Sequence, residues 1–300
     1  MIFKDKSAII NKRPKRTKRR KKMYQRIRLG YFPGGKRKAL TMSFDDGRDS
    51  DRRAVEILNK HGLKGTFHLN AGKLDRPKYL QKSELATLFE GHEVSSHTFS
   101  HPHLSHVAES NFIYEVLEDR RVLEEASGQF VRGMSYPNGV NGVEIADKLR
   151  SLGVVYSRMG KATGSTMLPT DFLFWSPTTS YYDAEALKRF ERFKDAKVNA
   201  YLSIYYWWTH SISIEVDDAW DKFDEFCQSI SGCDDIWYAT NLEIWEYCTA
   251  AKNLVISADQ TRIYNPSAIS VWVEIGMEHP LEIPSGATVK IPDFGDEYAY

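Results

Sequence analysis

The spacing of apolar and polar positions changes period repeatedly from residue 38 onward. An apolar run at 39–42 (ALTM) opens a strand over 38–44, and a helix follows at about 51–61, with Asp51 near its start and His61-Gly62 at its end. Residues 64–70 (KGTFHLN) read as a strand, 83–90 as a short helix with Ser83 as N-cap, and 93–96 as a strand. Residues 107–127 form a long amphipathic helix whose apolar positions are Phe112, Val116, Leu117 and Leu123 and which stops at Gly128. Strands at 131–136, 154–157 and 172–175 alternate with helices at 143–152 and 184–196. The aromatic and β-branched run 200–208 (AYLSIYYWW) is a strand ending at Thr209-His210. It leads to a helix at about 217–230 that carries Trp220, Phe223 and Phe226 on one face. A strand at 236–239 and a helix at 242–251 complete the series. Strand–helix units of this length imply a parallel sheet, most simply a (β/α) barrel. The alternation with helices stops at residue 252. From there to residue 300, short strands separated by Asn265-Pro266 and Pro284-Ser285-Gly286 turns predict a small β appendage packed on the barrel. There is no internal repeat.

Composition adjusts this picture in three places. The 300 residues are 42% hydrophobic, enough for one barrel-sized core and an appendage. No run approaches the ~18 apolar residues of a membrane span, and no apolar segment follows the N-terminus, so the expected compartment is the cytoplasm. Cys227, Cys233 and Cys248 match neither a disulfide framework nor a zinc spacing and read as reduced, mostly core thiols. The net charge of +1 hides an asymmetry: residues 1–22 hold eleven Lys/Arg against Asp5 alone, leaving the remainder at −9. The block 12–22 (KRPKRTKRRKK) cannot bury itself and predicts a disordered arm. Its readings are a polyanion contact, a solvated tail without a role, or an upstream extension of a chain that starts at Met23.

Candidate chemistry lies at two strand ends. Ser43-Phe44-Asp45-Asp46-Gly47 places adjacent carboxylates where a strand turns, so that one can hold a metal while its neighbour takes a proton; Asp-Asp-Gly is also an ordinary way to leave a strand. His97-Thr98-Phe99-Ser100-His101 follows the strand at 93–96, and a His pair four apart faces one way if the segment makes a helical turn, which Pro102 keeps short. His103 and His106 are loop residues in this reading. One Asp and two His give three protein ligands with positions left for water, the layout of a hydrolytic zinc site. In a barrel all would sit on the C-terminal rim.

In these two motifs, in this order and about fifty residues apart, the chain resembles the polysaccharide deacetylases, carbohydrate esterase family four, over roughly residues 38–250. The resemblance implies that Asp45 is the general base and that Asp46, His97 and His101 bind a divalent metal, most consistent with Zn2+ and with Co2+, Ni2+ or Mn2+ as alternatives. The family's Arg-x-Pro-Tyr-Gly motif is met by Pro137-Asn138-Gly139, with Asn138 in the Tyr place and Arg132 displaced upstream. By that alignment the Asn138 N–H stabilises the oxyanion and Arg132 orients Asp45, or else Arg132 is a surface residue. The Leu-x-His motif is met by Trp208-Thr209-His210, which makes His210 the general acid. For the remaining motif only Asp171 and Trp175 lie in the right region. Tyr136, Trp175, Trp207 and Trp208 are candidates to stack on sugar rings, with barrel packing as the alternative.

The expectation is therefore an α/β chain: a basic arm at 1–33, a distorted (β/α) barrel of about seven strands at 34–251, and a β-rich appendage at 252–300. Its expected activity is metal-dependent hydrolysis of N-acetyl groups on an amino-sugar poly- or oligosaccharide. Alternatives are O-deacetylation of xylan-type glycans, an inactive carbohydrate-binding barrel, and a polyanion-binding protein acting through the arm.

Overall fold

In a computed structural model that describes residues 27–197, 201–276 and 279–292, a short strand, β1 (Ile27–Arg28), precedes the barrel. Then follow β2 (Lys38–Asp46), α1 (Asp51–Lys60), β3 (Gly65–Leu69), α2 (Leu85–Leu88), β4 (Glu93–Ser96), α3 (Glu109–Ser127), β5 (Gly133–Ser135), α4 (Val143–Ser151) and β6 (Tyr156–Arg158). The second half holds β7 (Thr179–Ser180), α5 (Ala186–Asp195), β8 (Ser203–Thr209), α6 (Ser211–Val216), α7 (Trp220–Ile230), β9 (Ile236–Tyr238) and α8 (Asn241–Lys252). Five short strands end the described chain: β10 (Val255–Ile256), β11 (Arg262–Tyr264), β12 (Val271–Ile275), β13 (His279–Ile283) and β14 (Thr288–Lys290).

The barrel sheet runs β6-β5-β4-β3-β2-β8-β7, every pairing parallel, with β9 as an eighth strand on β2. One edge of β2 is shared: β9 pairs with Lys38–Leu40 and β3 with Met42–Asp46. The ring closes between β6 and β8 through residues 175–180. Trp175 exchanges backbone hydrogen bonds with Ser157 and Met159 (3.1 and 2.9 Å), and Thr178 N–H donates to the Tyr206 carbonyl at 2.8 Å. Parallel order puts all strand C-termini on one rim.

Alternation along β2 explains why this strand is central. Leu40, Met42 and Phe44 join the outer core with Val55, Leu58 and Phe223 of the helices. Ala39 faces a second core with Tyr156, Trp175 and Tyr206. Trp175 is 2% exposed and packs against Tyr206 and Tyr156, so it is barrel core and not a sugar platform.

Four expectations shift at the element scale. Residues 172–175 contain a 3-10 turn, Phe172–Phe174, because the Asp171 carboxylate accepts the Leu173 N–H at 3.0 Å. The helix expected at 217–230 is α7, which starts at Trp220, and a short helix that was not expected, α6, precedes it. Ser83 does not cap α2 but lies inside a 3-10 turn, Lys82–Glu84, that leads into it, and the Glu84 carboxylate accepts the Gln81 N–H at 2.6 Å at the start of that turn. On α3 the buried face is Phe112, Glu115, Val116, Asp119 and Leu123, while Leu117 is 42% exposed.

The appendage comprises two three-stranded antiparallel sheets, β1-β12-β13 and β10-β11-β14. The arm boundary expected at residue 33 is therefore too late: Ile27 pairs with Ile275, the buried Glu274 carboxylate receives Arg28 and Arg37, and Phe32 is fully buried beside Trp237 and Tyr247. The basic block 12–22 lies outside the described residues. Among the described residues no helix is long and apolar enough to cross a membrane. Cys227 and Cys248 are buried, Cys233 is half-buried, and all three are free thiols.

Candidate active site

Asp45 and Asp46 end β2 on the C-terminal rim. Ordinary alternation would send their carboxylates to opposite faces. A left-handed φ of 84° at Asp46 breaks that alternation, and Gly47 follows at φ 68°. Both carboxylates consequently face one imidazole: His97 Nε2 lies 3.8 Å from Asp45 Oδ2 and 3.9 Å from Asp46 Oδ1. His101 Nε2 is 3.8 Å from the same Asp46 oxygen.

Asp46, His97 and His101 bring one ligand atom each within 4.8 Å of one another. Asp46 Oδ1 is buried with no hydrogen-bond partner among the described residues, and Lys73 Nζ approaches it only to 3.9 Å. A carboxylate oxygen in that position costs free energy unless a cation satisfies it. Two tetrahedral ligands with bonds of about 2.0–2.2 Å lie about 3.4 Å apart, so the separations of 3.9 and 3.8 Å from Asp46 to the two imidazoles need to close by only about half an ångström on a cation. The residues thus fit a divalent metal. Burial holds the His97 and His101 imidazoles below their usual pKa range, and Lys73 adds to the effect at His101, so both rings present lone pairs.

The two histidines do not sit on a helical turn. Thr98 and His101 are both left-handed, each with φ 65°, and the imidazoles meet edge-on with centroids 4.7 Å apart. Polar residues on the inner face of α3 hold this loop. Asp119 accepts from Ser96 Oγ (2.6 Å) and the Ala71 N–H (2.7 Å), while Glu115 accepts from the Ser100 N–H (2.7 Å) and hydroxyl (2.5 Å). Asn70 Nδ2 donates to the carbonyls of His97 and Thr98. His97 Nδ1 lies 2.7 Å from Ser135 Oγ, which is also 3.2 Å from Asp45 Oδ1.

Asp45 is gripped by an arginine that no sequence motif singles out. Arg158, at the end of β6, is 1% exposed and donates from Nη2 to Asp45 Oδ2; its guanidinium lies 4.0 Å from the centroid of the Trp208 ring. The expected partner, Arg132, lies elsewhere. It stacks 4.8 Å from the Trp245 ring and approaches Glu246 at 3.6 Å. The signal available was position: Arg158 ends a strand on the rim, whereas Arg132 precedes one.

Asp45, His97, His101, Tyr136, Asn138, Arg158, Trp208 and His210 line one cavity of about 490 Å3. Asn138 has φ 57°, a conformation Asn tolerates, and the turn uses the Gly139 and Val140 N–H groups for its own bonds. Tyr136 is almost fully buried and donates its hydroxyl proton to the Leu173 carbonyl at 2.8 Å. His210 meets the Tyr182 hydroxyl at 3.3 Å through Nδ1. Asp171 does not reach it, being engaged with Leu173 and, at 2.8 Å, with Arg150.

A parallel (β/α) barrel with an Asp-His-His metal group on its C-terminal rim is the class of molecule these observations define. Residues 33–157 match the family model described as Polysaccharide deacetylase, and over that stretch the chain is similar to the polysaccharide deacetylases. It is 27% identical over 114 residues to the peptidoglycan-N-acetylglucosamine deacetylase of Listeria monocytogenes, covering 37% of this chain and 24% of that protein. It is 29% identical over 120 residues to a chitooligosaccharide deacetylase of Azorhizobium caulinodans, covering 39% and 55%. The chain thus spans between a quarter and about half the length of these curated relatives. A crystal structure from Mycobacterium smegmatis, assigned to the polysaccharide deacetylases, superposes with a TM-score of 0.55 at 18% identity over 74% of this chain and 93% of that one, which bears out the barrel.

Proposed function

We propose that this protein hydrolyses N-acetyl groups of an amino-sugar poly- or oligosaccharide. The observation that carries the reading is one cavity lined by Asp45, His97, His101 and His210, with Asp46 beside the two histidines to complete a metal-competent group. The names of the relatives, which specify N-acetylglucosamine and chitooligosaccharide, favour the amide over the ester.

An amide is a weak electrophile with a poor leaving group, so both ends of the reaction need help. Asp46, His97 and His101 would hold the divalent cation, with Zn2+ favoured by two imidazoles and one carboxylate. Such a cation, when bound, supplies charge stabilisation at the carbonyl oxygen and acidifies a water. Asp45 accepts the proton of the attacking water, its carboxylate aimed by hydrogen bonds from Arg158 and Ser135. Asn138 lines the same cavity, and its backbone N–H would donate to the developing oxyanion. His210 donates a proton to the departing amine, with Tyr182 setting the ring's orientation at Nδ1. Trp208 covers Arg158 and walls the acyl side of the cavity.

The test is acetate release by metal-loaded protein from N-acetylglucosamine oligomers and from acetylated xylo-oligomers, each with a chelated control. Chelator-sensitive acetate from the amino sugars is expected. Release from the xylo-oligomers alone would transfer the activity to O-acetyl esters, and release from neither would sink the hydrolase reading.

A further inference from the structure

A second cavity, of about 540 Å3, opens between α5 and α7 beside the candidate site. Its floor is Trp207 and Phe223, both almost fully buried, and its walls are Tyr181, Leu187 and Phe226. Lys222 also lines it, with no ion-pair or hydrogen-bond partner among the described residues.

An aromatic file connects the two cavities. Trp208 lines the first; its ring stands edge-on to Tyr182 at 6.4 Å, and Tyr182 stands edge-on to Tyr181 at 5.5 Å, where the second cavity begins. Tyr182 is 58% exposed, so the file is open to a ligand along its length. Tyr181 is fixed at both ends: its N–H donates to the Trp208 carbonyl at 3.0 Å and its hydroxyl donates to Asp217 at 2.8 Å.

The lining is chemically mixed. Trp207 and Phe223 are packed beneath the cavity, and the half-buried Tyr181 and Phe226 rings are the ones that suit the C–H faces of a pyranose, while Asp217 and Lys222 suit its hydroxyl edges. A purely apolar occupant would leave the Lys222 ammonium desolvated and unpaired. We propose that this cavity is a distal subsite that takes sugar residues of the polymer lying several units from the one deacetylated, on the His210 side. The inference rests on the deacetylase reading above and adds a length requirement to it. Binding energy gained at a remote subsite is realised as a higher kcat/KM on longer substrates.

The experiment measures kcat/KM for N-acetylglucosamine oligomers of increasing length, dimer to hexamer, with wild-type protein, Leu187→Arg and Lys222→Ala. Leu187 is a 38% exposed helix position, so an arginine there plugs the cavity without disturbing the core. The hexamer should exceed the dimer by about tenfold in wild type, a gain equivalent to one well-filled subsite. That ratio should fall towards one in Leu187→Arg and drop severalfold in Lys222→Ala. A ratio that is flat in wild type, or unchanged in both variants, overturns the subsite while leaving the deacetylase reading intact. If no oligomer is turned over, hexamer binding to the same proteins, followed by intrinsic tryptophan fluorescence, decides the question separately. Saturable binding that Leu187→Arg abolishes supports the subsite, and binding that is absent or indifferent to the plug overturns it.

Discussion

His68 shows how far burial dictates a single side chain here. It faces the barrel interior in register with Asp45 and Ser95, is fully buried, and desolvation pushes its pKa down to about 3. The unfolded value lies near 6.5, so the folded state keeps the ring neutral while the unfolded chain takes up a proton below that pH. Stability from this group is complete above about pH 6.5 and is lost as pH falls towards 3, at about 1.4 kcal/mol per unit. Urea midpoints of metal-free His68→Phe and wild type should therefore show a shallower acid loss in the variant between pH 6.5 and 5. The proposed reaction requires the adjacent carboxylates Asp45 and Asp46 to separate by role. Asp46→Ala and His97→Ala should lose metal and turnover together, whereas Asp45→Asn should retain metal, read by dialysis and metal analysis, and lose about 10²–10⁴ in kcat. Arg158→Gln should cost about 10²-fold in kcat with metal retained, because an unaimed carboxylate misses the water, while Arg132→Ala should leave kcat near wild type. Equal losses in the two arginine variants would remove Arg158 as the positioning residue.

At the scale of elements, α3 does more than cover the sheet. Glu115 and Asp119, four residues apart, share its inner face and hold the loop that carries His97 and His101. This explains why the helix's apolar stripe is incomplete: two of its inward positions carry carboxylates in place of hydrophobes. Asp119→Ala should weaken metal binding about 10–100-fold with no ligand removed, measurable by competition with a chromophoric chelator. Unchanged affinity would reduce α3 to packing alone. The succession of strands and helices was legible from the period of the sequence because strands buried on both faces read as apolar runs between helical stretches. The closure of the ring at Trp175 and Thr178 was not, since it depends on a few backbone bonds in a segment without a repeating pattern. The pairing of Ile27 with Ile275 was hidden for the same reason: two residues next to a basic run carry no strand signal.

For the whole molecule, a cation bound by Asp46, His97 and His101 would join β2 to the loop after β4, so binding and folding are linked. Metal at a hundred times its dissociation constant should stabilise the protein by about 2.7 kcal/mol, seen as a raised denaturant midpoint that Asp46→Ala abolishes. An identical midpoint with and without metal would mean that the group does not hold a cation. What the sequence by itself determined is local chemistry and period: a barrel-type alternation of strands and helices, two carboxylates where a strand ends, and a His pair where another ends. Those features are written in consecutive residues, and short-range sterics and patterning are enough to read them. The tertiary structure alone decided which arginine reaches Asp45, that Trp175 fills the barrel while Trp208 faces the cavity, and that a second cavity opens between α5 and α7. These depend on which strand lies beside which and on left-handed turns at Asp46, Thr98, His101 and Asn138. Such juxtapositions join residues some 20 to 110 positions apart, a range at which spacing along the chain carries no information about direction in space.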